Sequence, residues 1–180
     1  MHLSVLLALA LGWAQASPAP GPVVIDRVEV VVDGQVITAS DLRLSIAIDG
    51  RDPSPLPMLK GPAHDPLQRL IDRTILRSLA GKVPVYQPDD ADVRSRVDAL
   101  RSTWDSLSEF RSFLLVHGLD EDRLHRRMTD RMVVERYIRR NLTPPAPSKE
   151  APSLAQYTDW MAGLRAGVRI RKVQATKDAP

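Results

Sequence analysis

The chain has 180 residues and no cysteine, and it carries 25 Lys and Arg against 22 Asp and Glu, a formal net charge of +3. Without cysteine there is no disulfide, no thiolate metal site and no cysteine nucleophile. The small excess of base is interleaved with acid and is no argument for a nucleic-acid partner.

Leu3 to Leu11 is a short apolar run, followed by Gly12, Trp13 and then Ala14-Gln15-Ala16. Small residues at those last positions predict a signal peptide over 1–16, cut between Ala16 and Ser17, and hence export. The run is too short to cross a bilayer, which takes about 20 apolar residues. No later segment is apolar enough to do so. Pro18, Pro20 and Pro22 make 17–22 a Pro-rich linker. The chain beyond that linker is long enough for one domain with one hydrophobic core.

Val23 to Val32 reads as a strand with Val24, Val28, Val30 and Val32 on one face. Asp33-Gly34 supplies the positive φ angles of a tight hairpin turn, and Val36-Ile37 begins the return strand. Thr38 and Asp41 predict a capping box, with Leu42 and Ile46 spaced for one helix face. Asp49 to Pro66 is rich in Pro, Gly and Asp and reads as a surface excursion. Asp65-Pro66 then opens a helix as cap and first-turn proline, with Leu67, Leu70, Ile71, Ile75 and Leu79 at helical spacing and Gly81 at its end. From Asp89, the residues Val93, Val97, Leu100 and Trp104 form the stripe of a third helix. Ser106 and Glu109 announce a fourth, with Phe110 and Leu114 inside and Gly118 closing it.

Asp120 caps the longest helix, which runs to about Asn141 with Leu124, Met128, Met132 and Tyr137 as its stripe. Arg123, Arg126, Arg127, Arg131, Arg136, Arg139 and Arg140 fill the remainder. Asp120, Glu121, Asp122, Asp130 and Glu135 lie on the same element, so pairing within the helix predicts a solvated, charge-laced face. Residues 143–152 form a second Pro-rich linker. A last helix from Leu154 to about Leu164 and a strand from Val168 to Val173 come next, and 174–180 is a tail. A lone strand cannot satisfy its backbone, so this one is expected to pair with the N-terminal hairpin and complete the domain.

A search for catalysis finds little. His2, His64, His117 and His125 are scattered, with no acidic pair at a ligand spacing, and read as surface residues. There is no phosphate-cradling glycine loop, no nucleophile elbow and no HExxH. Asp89-Asp90-Ala91-Asp92 opens a helix, where carboxylates offset the dipole. The expectation is therefore no metal, no cofactor and no enzyme.

The ordered series carries a resemblance. Val24 to Leu42, reading VIDRVEVVVDGQVITASDL, resembles the opening of the SurA N-terminal domain family. Leu67 to Leu76, Asp89 to Ala99, Ser108 to Arg111, His117 to Leu124 and Arg131 to Ile138 are similar to the helices that come after it there. Tyr157 to Ile170 resembles the family's C-terminal helix and strand. Asp33 stands where Asn is commoner in the family, and 143–152 replaces the parvulin isomerase domains usual at that point. The resemblance implies a mainly α module over 23–142, completed by 153–173, with a small sheet of hairpin and C-terminal strand. It also implies a periplasmic holdase for unfolded exported or outer-membrane proteins, without isomerase activity. The alternative is a non-catalytic assembly subunit for one dedicated partner. Adaptable apolar side chains suit a promiscuous cleft, and the candidates to line it are Met128, Met132, Trp104, Phe113 and Trp160. Met58 and Met161 are further methionines of the same kind. Neither nucleic-acid binding nor membrane insertion is expected.

Overall fold

A computed structural model describes residues 26–54, 56–60, 65–142 and 153–173. The leader with its Ala16–Ser17 cleavage position, both Pro-rich linkers and the tail lie outside the described residues.

The chain folds as a mainly α protein with a small three-stranded antiparallel sheet. Strand β1, Val28–Val32, turns at Asp33-Gly34 into β2, Gln35–Thr38. Asp33 and Gly34 have φ of 45° and 84°, the two left-handed residues of the tight hairpin that their sequence predicts. Helices α1 (Ala39–Asp49), α2 (Pro66–Ala80), α3 (Asp90–Arg101), α4 (Leu107–Val116), α5 (Glu121–Leu142) and α6 (Leu154–Ala166) come next, then β3, Ile170–Lys172. Single 3-10 turns occupy Pro57–Leu59 and Pro84–Tyr86.

The local signals govern the helix ends. Thr38 and Asp41 form the reciprocal capping box of α1. Asp65 accepts from the Leu67 amide, with Pro66 in the first turn of α2. Ser106 accepts from the Glu109 amide at the start of α4, and Gly118 lies beyond its end with φ of 60°. Asp89 stands at the cap of α3 but makes no capping hydrogen bond through its side chain.

Two apolar clusters form the interior. One gathers the sheet, α2, α6 and the C-terminal half of α5, with Val30, Val32, Leu76, Ile138, Tyr157 and Met161 at its centre. The other joins α1, α3, α4 and the N-terminal half of α5 around Leu44, Val93, Leu100, Phe110, Leu124 and Met128. Helix α5 runs through both. Burying a side chain such as Phe110 or Leu124 contributes about 1.5–3 kcal/mol.

Three expectations need correction. On α1 the inward residues are Leu44 and Ile48, whereas Leu42 is only half-buried and Ile46 is 45% exposed. Both stripes have helical spacing, and the neighbours on α3 and α5 decide between them. On α2, Leu79 is 46% exposed, and the helix turns Leu76 inward instead. The described part of 49–66 is no surface excursion, because Asp49, Asp52, Ser54, Leu56, Met58 and Leu59 are all buried. Pro53 and Pro57 are exposed, but Ser54 and Leu56 between them and Met58 and Leu59 after them turn inward.

The C-terminal segment closes the fold. Strand β3 pairs with the free edge of β1, Val30 opposite Lys172 and Val32 opposite Ile170, in the order β2-β1-β3. Asp33 helps to place it, since its backbone N–H donates to the Arg169 carbonyl at 3.0 Å and its carboxylate accepts from the Arg169 N–H at 2.9 Å. Helix α6, opened by a Ser153–Gln156 capping box, buries Tyr157 and Met161. It is tied to α2 by Arg165, whose guanidinium donates to both oxygens of buried Asp72 at 2.8 and 2.5 Å. Removing 153–180 would therefore uncover Val30, Val32 and Leu76 and strip Asp72 of its cation. The truncated chain is expected to melt well below the full chain, or to fail to fold, in a thermal denaturation followed by circular dichroism.

Tyr157 adds a pH dependence. Burial, aided by the Asp72 carboxylate, holds its phenol proton above the ordinary 10.0, against the opposing pull of Arg73 and Arg165. A phenol whose proton affinity is raised in the folded chain contributes stability that is present below the unfolded pKa and is lost as pH rises beyond it. Tyr157→Phe removes that term. Between about pH 9 and about pH 11.5 the urea midpoint of the parent should fall more steeply than that of the variant.

Candidate functional site

Between the two apolar clusters lies a buried set of charges. Arg131 donates from Nε to Asp52 Oδ2 at 2.7 Å and from Nη2 to Asp49 Oδ1 at 2.6 Å. Arg73 reaches the same Asp49 oxygen at 2.9 Å, Ser45 Oγ at 2.9 Å and the Leu59 carbonyl at 3.2 Å. Arg69 approaches the other Asp49 oxygen at 3.4 Å. Arg96 bridges Asp52 and Glu135; its Nε lies 2.9 Å from Asp52 Oδ1, a contact of opposite charges without hydrogen-bond alignment. Five stretches of chain meet here: α1, the segment after it, α2, α3 and α5.

The polar stripes are visible in retrospect. On α2, Arg69, Arg73, Leu76 and Ala80 share one face, and all four are buried. On α5, Leu124, Met128, Arg131, Glu135 and Ile138 do the same. The expected solvated arginine face of α5 is thus only partly right. Arg139 and Arg140 are exposed, but Arg131 is buried, and most of the pairs leave the helix: Arg127 to Asp41, Arg131 to Asp49 and Asp52, Arg136 to Asp92, Asp130 to Arg77. Arg123 with Asp120 is the pair of local spacing. Burial pulls the proton affinity of Arg131 down, but Asp52 and Asp49 overcome it and leave the group above its ordinary value. Arg73 goes the other way, to about 10, because burial and the neighbouring Arg131 outweigh Asp49.

Beside this network a groove opens between the hairpin and α1, α2 and α5. Its inner part is a cavity of about 120 Å³ floored by Val36, Ile37, Leu44, Ile48 and Leu70, with Arg73 and Arg131 also in its wall. The outer part, about 570 Å³, continues past Ser40 and Leu119 to His117 and Gly118, with Arg123, Arg126 and Arg127 on α5. Val36, Asp41, Leu44, Arg77, Arg127 and Asp130 belong to both.

The five residues expected to bind peptides divide between the clusters. Trp104, Phe113 and Met132 each pack, partly exposed, against the second cluster, in which Met128 is fully buried. The Trp104 and Phe113 ring centres are 4.8 Å apart, and the Arg51 guanidinium lies 4.6 Å from the Trp104 ring centre. Trp160 is remote from them, against Tyr137 and Tyr157 in the first cluster. Met128 presents no surface to a ligand, and neither do Met58 and Met161, which are buried as well. Sequence reasoning missed Leu115 and Val116, which are 82% and 79% exposed at the end of α4. Val116 comes three residues after Phe113 and shares its face. His117 links this apolar patch to the groove, its ring 5.0 Å from that of Phe113 while it lines the outer concavity.

Among the described residues no group of three or more His, Asp or Glu side chains is placed to hold a metal ion, and no helix is long and apolar enough to cross a membrane. No protein-family model matches the chain, and no curated protein is significantly similar to it.

The buried charges set an expectation. Asp49→Asn leaves three guanidiniums short of a partner in a desolvated site and is expected to cost about 3–5 kcal/mol. Asp92→Asn, at an exposed pair with Arg136, should cost under about 1 kcal/mol. Urea denaturation of the two variants measures the contrast.

Proposed function

We propose that this protein holds non-native segments of other polypeptides and acts by binding rather than by catalysis. The observation that carries the reading is the outer surface of α4, where Leu115 and Val116 stand almost fully exposed, Val116 three residues on from part-buried Phe113. Exposed aliphatic side chains next to part-buried aromatic ones favour contact with apolar segments of varied sequence, because such contacts are non-directional. Helix α4 gives its inner face, Phe110 and Leu114, to the core and keeps the outer one bare.

The resemblance to the SurA N-terminal domain family supports the same reading. Under it, residues 1–16 direct export, the protein works in the periplasm, and its clients are unfolded exported or outer-membrane proteins. The described order of hairpin, helices and returning strand fits that module. The alternative, a subunit for one dedicated partner, differs in client range.

The test is aggregation of several unrelated unfolded proteins with and without the purified chain. Suppression should need near-stoichiometric amounts and no nucleotide. Leu115→Ser with Val116→Ser should weaken it several-fold at a nearly unchanged melting temperature, since exposed substitutions usually change stability by less than about 0.5 kcal/mol. A proline test peptide should isomerise no faster than in buffer. Protection confined to one client would favour the dedicated subunit.

A further inference from the structure

The groove beside the α4 patch carries more positive charge than its own acids offset. Arg73 and Arg131 in its inner wall are held by Asp49 and Asp52, and Arg77, Arg123, Arg126 and Arg127 line the rest against Asp41 and Asp130. Both aspartates are already engaged, Asp41 by Arg127 at 2.9 Å and Asp130 by Arg77 at 2.6 Å. Arg126 lines the outer part and makes no ion pair or hydrogen bond among the described residues. Arg123 is committed only locally, to Asp120 and the Gly118 carbonyl.

We infer that this groove is a binding site for acidic polypeptide segments, with Asp or Glu carboxylates on Arg126, Arg127 and Arg77 and aliphatic side chains of the same segment over Val36 and Leu44. The inference rests on the peptide-holding reading above and adds the charge class of the preferred client. Guanidinium groups suit carboxylates because they offer paired donors in a planar fork. Val36 is 51% exposed at the lip, so the aliphatic floor is reachable from solvent. That floor argues against the other polyanions. No Phe, Tyr or Trp lines either part of the groove, so a single-stranded nucleic acid would find no platform on which to stack its bases. A concave channel also presents its charge to a chain and not to a flat anionic bilayer, which favours an amphipathic face lying in the membrane plane. His117 lies against Phe113 and lines the groove, so one segment can lay its apolar part on Phe113 and Val116 and its acidic part among the arginines.

Fluorescence anisotropy with the full chain tests this, using three labelled peptides of one length and one aliphatic pattern that carry Glu, Gln or Lys at the polar positions. At low salt the Glu peptide should bind about tenfold more tightly than the Gln peptide, and the Lys peptide more weakly still. The Glu preference should shrink as salt shortens the Debye length to about 8 Å near physiological ionic strength. Arg126→Glu, which breaks no internal contact, should cut into the Glu preference. Arg126→Glu combined with Arg127→Gln should bring the Glu peptide down to the affinity of the Gln peptide, with the circular dichroism spectrum and melting temperature as controls of folding. Equal affinity for the Glu and Gln peptides, or a Glu preference that survives in both variants, would overturn the inference. Tighter binding of a single-stranded oligonucleotide or of phosphatidylglycerol vesicles than of the Glu peptide at equal ionic strength would do so too. If aggregation suppression persists while the Glu preference is absent, only this inference falls; if all peptide binding and suppression are absent, the holding reading falls with it.

Discussion

Arg131 sits at the middle of the longest helix and holds Asp49 and Asp52 at once, at 2.6 and 2.7 Å. Helices α1, α2 and α3 and the segment after α1 are all tied to that clasp. Asp49 ends α1 and Asp52 lies three residues on, so one guanidinium determines where the chain goes after its first helix. Because Asp49 also accepts from Arg73 and lies against Arg69, α2 is drawn to the same point. Through Asp52 and Glu135, Arg96 does the same for α3. A buried ion pair of this kind adds little net stability over a well-packed apolar alternative, yet breaking it is costly. Its effect is therefore on arrangement, since a helix packed in another register would leave a charge unpaired in the interior.

The network also separates two regions with different tasks. On one side the sheet, α2 and α6 enclose Val30, Leu76, Ile138 and Met161, with β3 and the Asp72–Arg165 pair as closures. On the other, α4 contributes Phe110 and Leu114 to a smaller cluster and leaves its outer surface open. Of the surfaces assigned to client binding, the α4 patch belongs to this more open half, whereas the arginine-lined groove runs between the two, with the hairpin and α2 on one side and α1 and α5 on the other. The groove shares Arg73 and Arg131 with the network, so the residues that give the groove its inner charge are also those that hold the helices in place.

Much of the fold was legible in the residues. The Asp33-Gly34 turn, the Thr38–Asp41 box, the Asp65-Pro66 opening and the Gly118 stop all stand as their types require, and the last strand joins the hairpin. The site was less legible. Of the five side chains singled out for binding, Trp104 and Phe113 touch each other, Met132 packs partly exposed against the same cluster, Met128 is buried within it, and Trp160 belongs to the other half. The bare residues of the patch, Leu115 and Val116, carry no signal in sequence, because an aliphatic residue on a short helix reads equally as core. The arginine stripe on α5 carried a signal that was assigned to the wrong partners: Arg131 and Glu135 keep the spacing of Leu124, Met128 and Ile138, the mark of an inward position.

The sequence by itself determined whatever is decided within a few residues of chain. Turn type, helix caps and helical period depend on backbone sterics and on hydrogen bonds that a side chain makes to its own neighbours, and those act in any context. Tertiary structure alone decided which of two possible faces of α1 points inward, why Asp52, Ser54, Leu56, Met58 and Leu59 after it are buried, and where the arginines of α5 find their carboxylates. Each of these turns on groups far apart in sequence, Arg131 and Asp49 or Arg165 and Asp72, whose charges become neighbours only when the helices pack. Desolvation then makes any other pairing costly.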